Sequence, residues 1–398
     1  METGRCGGFD VIVVGAGMMG SAAARHLALM GLDVALIGPA EPEQKASHPG
    51  VFASHYDQAR ITRALDRDAD WSRFAMQSIA RYGEIEQASG HRFFHEVGSL
   101  MVGPEVGPHS GFVRDCEQVG TAHSVEFDRY QGAELAKAFS YFAFPEGIVG
   151  LYEAKGAGYV NPRDHVQAQI MAATRSGARL IRSEVIGVDE TGGGVRVSCA
   201  DGQVYHAEKV IVACGPFSKA KDLLPQPIEL ITFARTVAFF EIDAEEAARL
   251  RHMPSLIYGS PDGATDIYVL PPLAYADGKH WLKLGGGPVD TVLDSVSDIK
   301  DWFRTTGDPA ERDALANMLL DVMPDLRFQS ITSGSCVTSY TPNGKPLIYP
   351  QSERIIALTG GNGTAAKSSD ELGRLGAIAA IGELAAETRY KTDFKPGL

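Results

Sequence analysis

The chain has 398 residues, 50 Asp and Glu against 37 Lys and Arg for a formal net charge of -13, and a hydrophobic fraction of 44%. That length suits about two to three ordinary domains, and the composition is that of a globular protein, so wholesale disorder is excluded. The acidic balance, with no run of five Lys or Arg, argues against nucleic acid and anionic membrane as partners.

Val11–Val14 is a β-branched apolar run of the kind buried on both faces of a parallel sheet. Gly15-Ala16-Gly17-Met18-Met19-Gly20 follows, then a helix-compatible stretch closed by Gly31 and a second strand over residues 34–37. Strand, glycine turn, helix and strand in this span form a βαβ dinucleotide unit. A Pro-, Glu- and Ser-rich loop runs from Pro39 to Gly50 and leads to Ser54-His55. Trp71, Phe74, Ser78, Ile79, Tyr82 and Ile85 recur at near-helical spacing and predict a helix over 69–89. Residues 91–146 mix short elements between Gly and Pro breaks. Asn161-Pro162 opens a helix that ends by Gly177. Strands are expected over 180–188, 195–197, 204–206 and 209–214, the last running into a turn at Gly215. Aromatic and alternating segments from 228 to 284 predict antiparallel strands, and two helices fill 294–306 and 309–321. A strand ending at Thr359, the turn 360–363 and a helix over 364–388 close the chain.

The βαβ and antiparallel pieces alternate, so the expected fold is α/β: a Rossmann-type nucleotide-binding domain interleaved with an α+β substrate domain on an antiparallel sheet. The expected division is 1–90, 147–225 and 331–398 for the first domain, and 91–146 and 226–330 for the second. Cys6, Cys116, Cys199, Cys214 and Cys336 are odd in number and none lies within four residues of another. This argues against a disulfide framework and a Cys-x-x-Cys metal site, and no metal is expected. No apolar run reaches about 18 residues, METGRCGG opens without an apolar stretch, and FKPGL matches no anchor, so the expected location is the cytoplasm.

The glycine loop carries the first chemistry. Gly15 permits the tight turn, Gly17 lets a pyrophosphate approach the backbone, and Gly20 lets the helix pack on the strand, while the helix N-terminus attracts the anion. The acidic residue that should end the second strand is missing, because Gly38 and Pro39 follow Ile37. Glu41, Glu43 or a water could take its place, and the fingerprint alone leaves NADP and FAD open. Arg60 and Arg63, three apart, would share a face on a helical turn. The 360–363 turn feeding a helix repeats the anion-cradle logic.

The motifs Asp10–Gly17, Ser54-His55-Tyr56-Asp57-Gln58-Ala59-Arg60-Ile61-Thr62-Arg63, Trp281-Leu282-Lys283-Leu284-Gly285, Cys336 seven residues before Asn343, and Gly360 to Lys367 span nearly the whole chain. In these the chain resembles the D-amino-acid-oxidase superfamily of FAD enzymes, and within it the monomeric sarcosine oxidase and N-methyltryptophan oxidase branch. The resemblance implies FAD as cofactor, with contacts from Gly15, Gly17, Met18, Met19, Gly20, Ser54, Ala59, Arg60, Val185, Gly215, Cys336, Gly361, Gly363, Thr364 and Lys367. It implies a thioether from Cys336 to the flavin 8α-methyl and a cationic Lys283 on the flavin face where O₂ is reduced. Arg60 and His55 lie beside the ring by the same likeness, and Arg63 with Lys367 holds an acidic group of the substrate.

The chain departs from the sarcosine-type pattern at Gly287, where a histidine is usual, and at Thr338, where an aromatic residue is usual. Both changes remove bulk from the amine pocket, which Tyr268 is expected to line, and they turn the reading away from sarcosine itself. The implied function is FAD-dependent oxidation of an amine carrying a carboxylate or phosphonate to an imine, with O₂ reduced to hydrogen peroxide. A flavin dehydrogenase or demethylase using another acceptor is the alternative, and a non-catalytic nucleotide-binding regulator ranks last. The expected partners are a small anionic amine and O₂, with the protein a monomer or homodimer.

Overall fold

The computed structural model describes residues 8–263, 266–287 and 289–396. Cys6 and the terminal Gly397-Leu398 lie outside the described residues. Phe9–Val14 sits at the centre of a mostly parallel sheet, between Val34–Ile37 and Val204–Val212. Arg179–Ile181 extends the sheet beyond Val34–Ile37, and Ile355–Thr359 pairs in parallel with the C-terminal half of Val204–Val212. The N-terminal half of that strand instead pairs antiparallel with Gly194–Cys199. One long strand therefore serves both the nucleotide core and an antiparallel meander.

The helices Met18–Leu29 and Ala365–Ala380 cover one face of this sheet, with Ala22, Ala23, Gly373 and Gly376 allowing close approach. A Cβ at Gly373 would stand 2.5 Å from Ala22 Cβ, so only glycine lets the helices meet there. Asp370 pins the assembly. It accepts hydrogen bonds from Arg25 at 2.9 Å, Arg81 at 2.5 Å and Gln169 at 2.8 Å, drawing together helices Met18–Leu29, Ala69–Ser89 and Pro162–Arg175. The helix that presents Lys367 is thus fixed by a buried, fully partnered charge network.

The second sheet runs, in spatial order, Ser330–Tyr340, Ile231–Ile242, His280–Gly286, Ile267–Ala274, Ser255–Tyr258, Ser99–Pro104, Ile148–Glu153 and Asp128–Gln131. Its pairings are antiparallel except between Ser255–Tyr258 and Ser99–Pro104. The expected α/β architecture with an interleaved antiparallel sheet is therefore what the chain adopts. The domain borders differ in detail: Ile148–Glu153 and Ser330–Tyr340 pair in the antiparallel sheet, although the sequence division places nearly all of both in the nucleotide-binding part. Backbone pairing from Ile231↔Tyr340 to Glu241↔Ser330 outweighs sequence neighbourhood there.

Four local expectations need correction. Residues 204–206 and 209–214, expected as two strands, form one, Val204–Val212. Residues 180–188 are two strands, Arg179–Ile181 and Val185–Thr191, broken at 182–184 where the chain leaves the parallel sheet for the meander. The last helix stops at Ala380, before Gly382 at φ 83, instead of reaching 388. Arg60–Thr62 is a strand paired with Gly158–Val160, so Arg60 and Arg63 do not share a helical face.

Candidate active site

A cavity of about 710 Å³ runs between the two sheets. Its walls include Gly15, Gly17, Met18 and Met19 from the first glycine turn, together with Cys336, Gly361, Gly363 and Thr364. Gly15 is required sterically, since a Cβ there would lie 2.4 Å from Ala213 O. At Gly20 a Cβ would lie 1.9 Å from Gly15 O, so Gly20 secures strand-to-helix packing behind the wall and is not itself part of the lining. A Cβ at Gly17 would meet nothing nearer than His55 Nδ1 at 4.0 Å, which leaves open space over the turn.

The first helix has Gly17 at its N-cap with no side-chain cap and no acidic residue in its first turn. The Ala365–Ala380 helix, with Thr364 at its N-cap, also lacks a side-chain cap. Two helix N-termini with uncapped N–H donors at one cavity fit a dinucleotide whose pyrophosphate and electron-rich ring each want positive potential. The 360–363 turn is left-handed over most of its length: Gly360, Asn362 and Gly363 have φ of 81, 46 and 72. Asn362 Oδ1 accepts the N–H of Thr341 at 3.0 Å and its own N–H donates to Ser339 O at 2.8 Å, stapling the turn to the Cys336 strand.

Gly38 occupies the position of the missing acid for a steric reason, since a Cβ there would stand 2.6 Å from Ala16 N. Neither Glu41 nor Glu43 lines the cavity, and Glu41 is engaged in a two-pronged pair with Arg163 at 2.7 Å on both arms. The carboxylate on this stretch of wall is Glu184, beside Val185, where it accepts the Val51 N–H at 3.2 Å and faces Lys300 at 3.7 Å. Sequence reasoning missed it because it comes from the break between two strands and not from the second strand of the fingerprint.

Near Cys336 the charges are concentrated. The Arg60 guanidinium stands 3.5 Å from Cys336 Sγ and donates to Ser54 O at 3.0 Å. Asp57 takes both Arg60 and Lys283 on one carboxylate oxygen. Lys283 also donates to Ala59 O at 2.9 Å and lies 5.7 Å from the Tyr268 ring centroid. Burial pushes the Asp57 carboxyl up, but Lys283 and Arg60 outweigh it and hold it well below the usual range. Burial and the competing Arg60 lower Lys283 to about 8 despite Asp57. Lys283 and Ala59 are fully buried and stand behind the cavity wall, whereas Ser54, His55, Arg60, Val185, Gly215 and Tyr268 line it. Burial, followed by Arg163, Arg182 and Arg60, lowers His55 to about 3, so its ring is neutral near neutral pH.

Arg63 and Lys367 both reach the cavity. Asp66 joins them: its carboxylate is 2.9 Å from Lys367 Nζ and 3.8 Å from the Arg63 guanidinium. Asp57, Asp66 and Arg235, like Glu184, are charged residues of the site that had no assigned role from sequence. Asp57 stands inside a recognised motif and Asp66 lies three residues after Arg63, but nothing in their spacing shows which cations they meet. Among the described residues no cluster of His, Cys, Asp or Glu could hold a metal ion, and no helix is long and apolar enough to cross a membrane.

A family model described as FAD dependent oxidoreductase (DAO) matches residues 10–377. The chain is 26% identical over 370 residues to monomeric sarcosine oxidase of Bacillus sp. (strain NS-129), covering 92% of this chain and 91% of that protein. It is 24% identical over 374 residues to N-methyl-L-tryptophan oxidase of Yersinia pestis (strain Pestoides F), covering 93% and 94%. Among solved structures, an open form of NikD, an unusual amino acid oxidase essential for nikkomycin biosynthesis, superposes with a TM-score of 0.76 at 20% identity over 98% of this chain and 97% of that one.

Proposed function

The chain belongs to the DAO family of FAD-dependent oxidoreductases, and from that premise we propose that it oxidises an amine bearing an acidic group to an imine, with O₂ as the electron acceptor. The observation that carries this reading is the pair Arg63 and Lys367 on one cavity wall, bracketing Asp66. Two cations drawn to one spot in a water-poor cleft suit a carboxylate or phosphonate, with Arg offering a planar fork and Lys a point charge. Bound FAD supplies the two-electron acceptor for the C–H bond next to nitrogen.

The protein residues supply position. Arg63 and Lys367 orient the acid so that the amine end extends along the cavity past Tyr268 toward Cys336, and fixed orientation of this kind lowers the barrier without a protein base. Neutral His55 offers a hydrogen bond and not an acid. Cys336, with the Arg60 guanidinium beside its sulfur, is the proposed attachment residue for the flavin.

An anaerobic panel of acidic amines, followed by loss of flavin absorbance, tests the reading. Bleaching by amines with an acid group and not by their ester analogues is expected, and no bleaching by any acidic amine overturns it. The second reading, a dehydrogenase with another acceptor, is favoured by one observation: Lys283 sits behind the wall with Asp57 and Ala59 O as partners. Oxygen consumption during turnover separates the two.

A further inference from the structure

Arg235 lies on Ile231–Ile242 directly across from Cys336 in the pairing register, so the two side chains share a face of the sheet. It lines the same cavity. Its side chain is 11% exposed, and the guanidinium lies 4.9 Å from the Phe233 ring centroid. It donates to Ala234 O at 3.2 Å, Val289 O at 3.1 Å and Asp290 Oδ1 at 2.7 Å. Asp290 is 63% exposed, so water competes with Arg235 for that carboxylate and the pair is weak. Glu311 also feels the guanidinium, but burial pushes its carboxyl up and it does not line the cavity.

The space before this cation is open because of Gly287. A Cβ there would stand 3.5 Å from Arg235 Cζ and 3.7 Å from Nε, so any larger side chain would lie against the guanidinium. Thr338, two residues beyond Cys336 on the same face, keeps a buried Oγ1 with no hydrogen-bond partner. A largely buried cation with a surface counter-ion, facing a cavity, is a place where a ligand anion can displace the exposed carboxylate.

We propose that Arg235 binds a second acidic group of the substrate, so that the amine lies between two carboxylates, as in an N-carboxyalkyl amino acid. This deepens the function proposed above and rests on Arg63 and Lys367 taking the first acid. Gly287 then makes room for the second carboxylate, and the small side chain of Thr338 leaves the neighbouring wall uncrowded. A small N-methyl group would leave Arg235 without a ligand to meet.

Two matched pairs test it on the flavin-loaded protein. Thiodiacetate and (methylthio)acetate replace the amine nitrogen by sulfur, and their binding is read by thermal shift and by perturbation of the flavin band. N-(Carboxymethyl)glycine and N-methylglycine report anaerobic flavin reduction. Wild type should bind the diacid of each pair about 10- to 100-fold more tightly, the range of a charge-assisted hydrogen bond. Arg235→Gln should lose that advantage while changing the monoacid less than about threefold, and Arg235→Lys should recover part of it. Equal affinity for monoacid and diacid in wild type, or equal weakening of both by Arg235→Gln, overturns the inference while leaving the acidic-amine reading intact. Failure of every acidic amine to reduce the flavin removes both.

Discussion

Asp66 sets a carboxylate oxygen 2.9 Å from the ammonium of Lys367, and both side chains are almost wholly buried. The cationic pair therefore carries its own counter-ion, which lets two largely buried positive side chains persist side by side without a bound anion. Burial pushes the Asp66 carboxyl up, but Lys367 and Arg63 more than offset this and hold it below its ordinary 3.8. Its stabilising contribution is present above that ordinary value and is lost as pH falls through the lowered one. Asp66→Asn leaves the buried Lys367 with its bond to Trp71 O but without its ion-pair partner, and the expected cost is about 3–5 kcal/mol. Saturating carboxylate ligand should return part of it by supplying the missing charge. Thermal unfolding with and without ligand checks this; a ligand that stabilises the variant no more than wild type would remove the anion-clamp reading.

Lys283 offers a separation of half-reactions. One carboxylate, Asp57, is shared between two cations, so the cluster of Lys283, Arg60 and Asp57 keeps net positive charge while Lys283 is protonated. If that charge assists O₂ reduction, Lys283→Met should slow flavin reoxidation about 100-fold or more, the scale of losing one preorganised charge partner. Anaerobic reduction should stay within about threefold of wild type. In wild type, reoxidation should fall as pH rises through about 8, where Lys283 loses its proton. The same lowered value means the unfolded chain holds this proton up to its ordinary 10.5, so the cost of burying the charge diminishes between about 8 and 10.5. Stopped-flow mixing with O₂ across that range is the measurement.

The nucleotide half of the fold was legible because its signals are local. A buried β-branched run, glycines at fixed spacing and a helix fall within one short stretch, and Gly15 and Gly20 each have a steric reason visible in the structure. The Asn161-Pro162 start was equally legible: Asn161 accepts from the N–H groups of Arg163 and Asp164. What was not legible depends on pairing between distant segments. Strand Ser330–Tyr340 follows the substrate region in sequence and pairs there, and no local feature of Cys336 shows that Arg235 stands across from it. Asp57 was visible as a motif residue, but its bond to Lys283 spans more than two hundred positions and needs the sheet to bring them together. Resemblance reached residues that families share, and it was silent on the counter-ions and on Arg235.

Cys336 is exposed to the cavity with the Arg60 guanidinium 3.5 Å from its sulfur, a placement that steadies negative charge as it develops there. If this residue is the point of attachment, acid-precipitated protein should keep its yellow colour in the pellet. Cys336→Ala should release all of it to the supernatant while leaving the fold intact, because the side chain fills little of the core. Colour lost to the supernatant from wild type as well would exclude a thioether at this position.

Gly38 and Gly31 make a controlled comparison at the nucleotide end. Gly38 is needed for space, since a Cβ would press within 2.6 Å of Ala16 N and 2.8 Å of Ala16 Cβ in the Gly15–Gly17 turn. Gly31 has open space around it but a φ of +83, so alanine there is strained without touching the turn. Gly31→Ala should therefore cost about 1 kcal/mol of stability with cofactor affinity unchanged. Gly38→Ala must shift the Ala16 backbone, and FAD affinity should fall at least about 10-fold, because a fraction of an ångström misplaces the donors at the helix N-terminus. Titration of stripped protein with FAD, followed by flavin fluorescence, distinguishes the two. Equal FAD affinity in both variants would mean that the turn tolerates movement at Ala16, and that the residue following Ile37 is free to be something other than glycine.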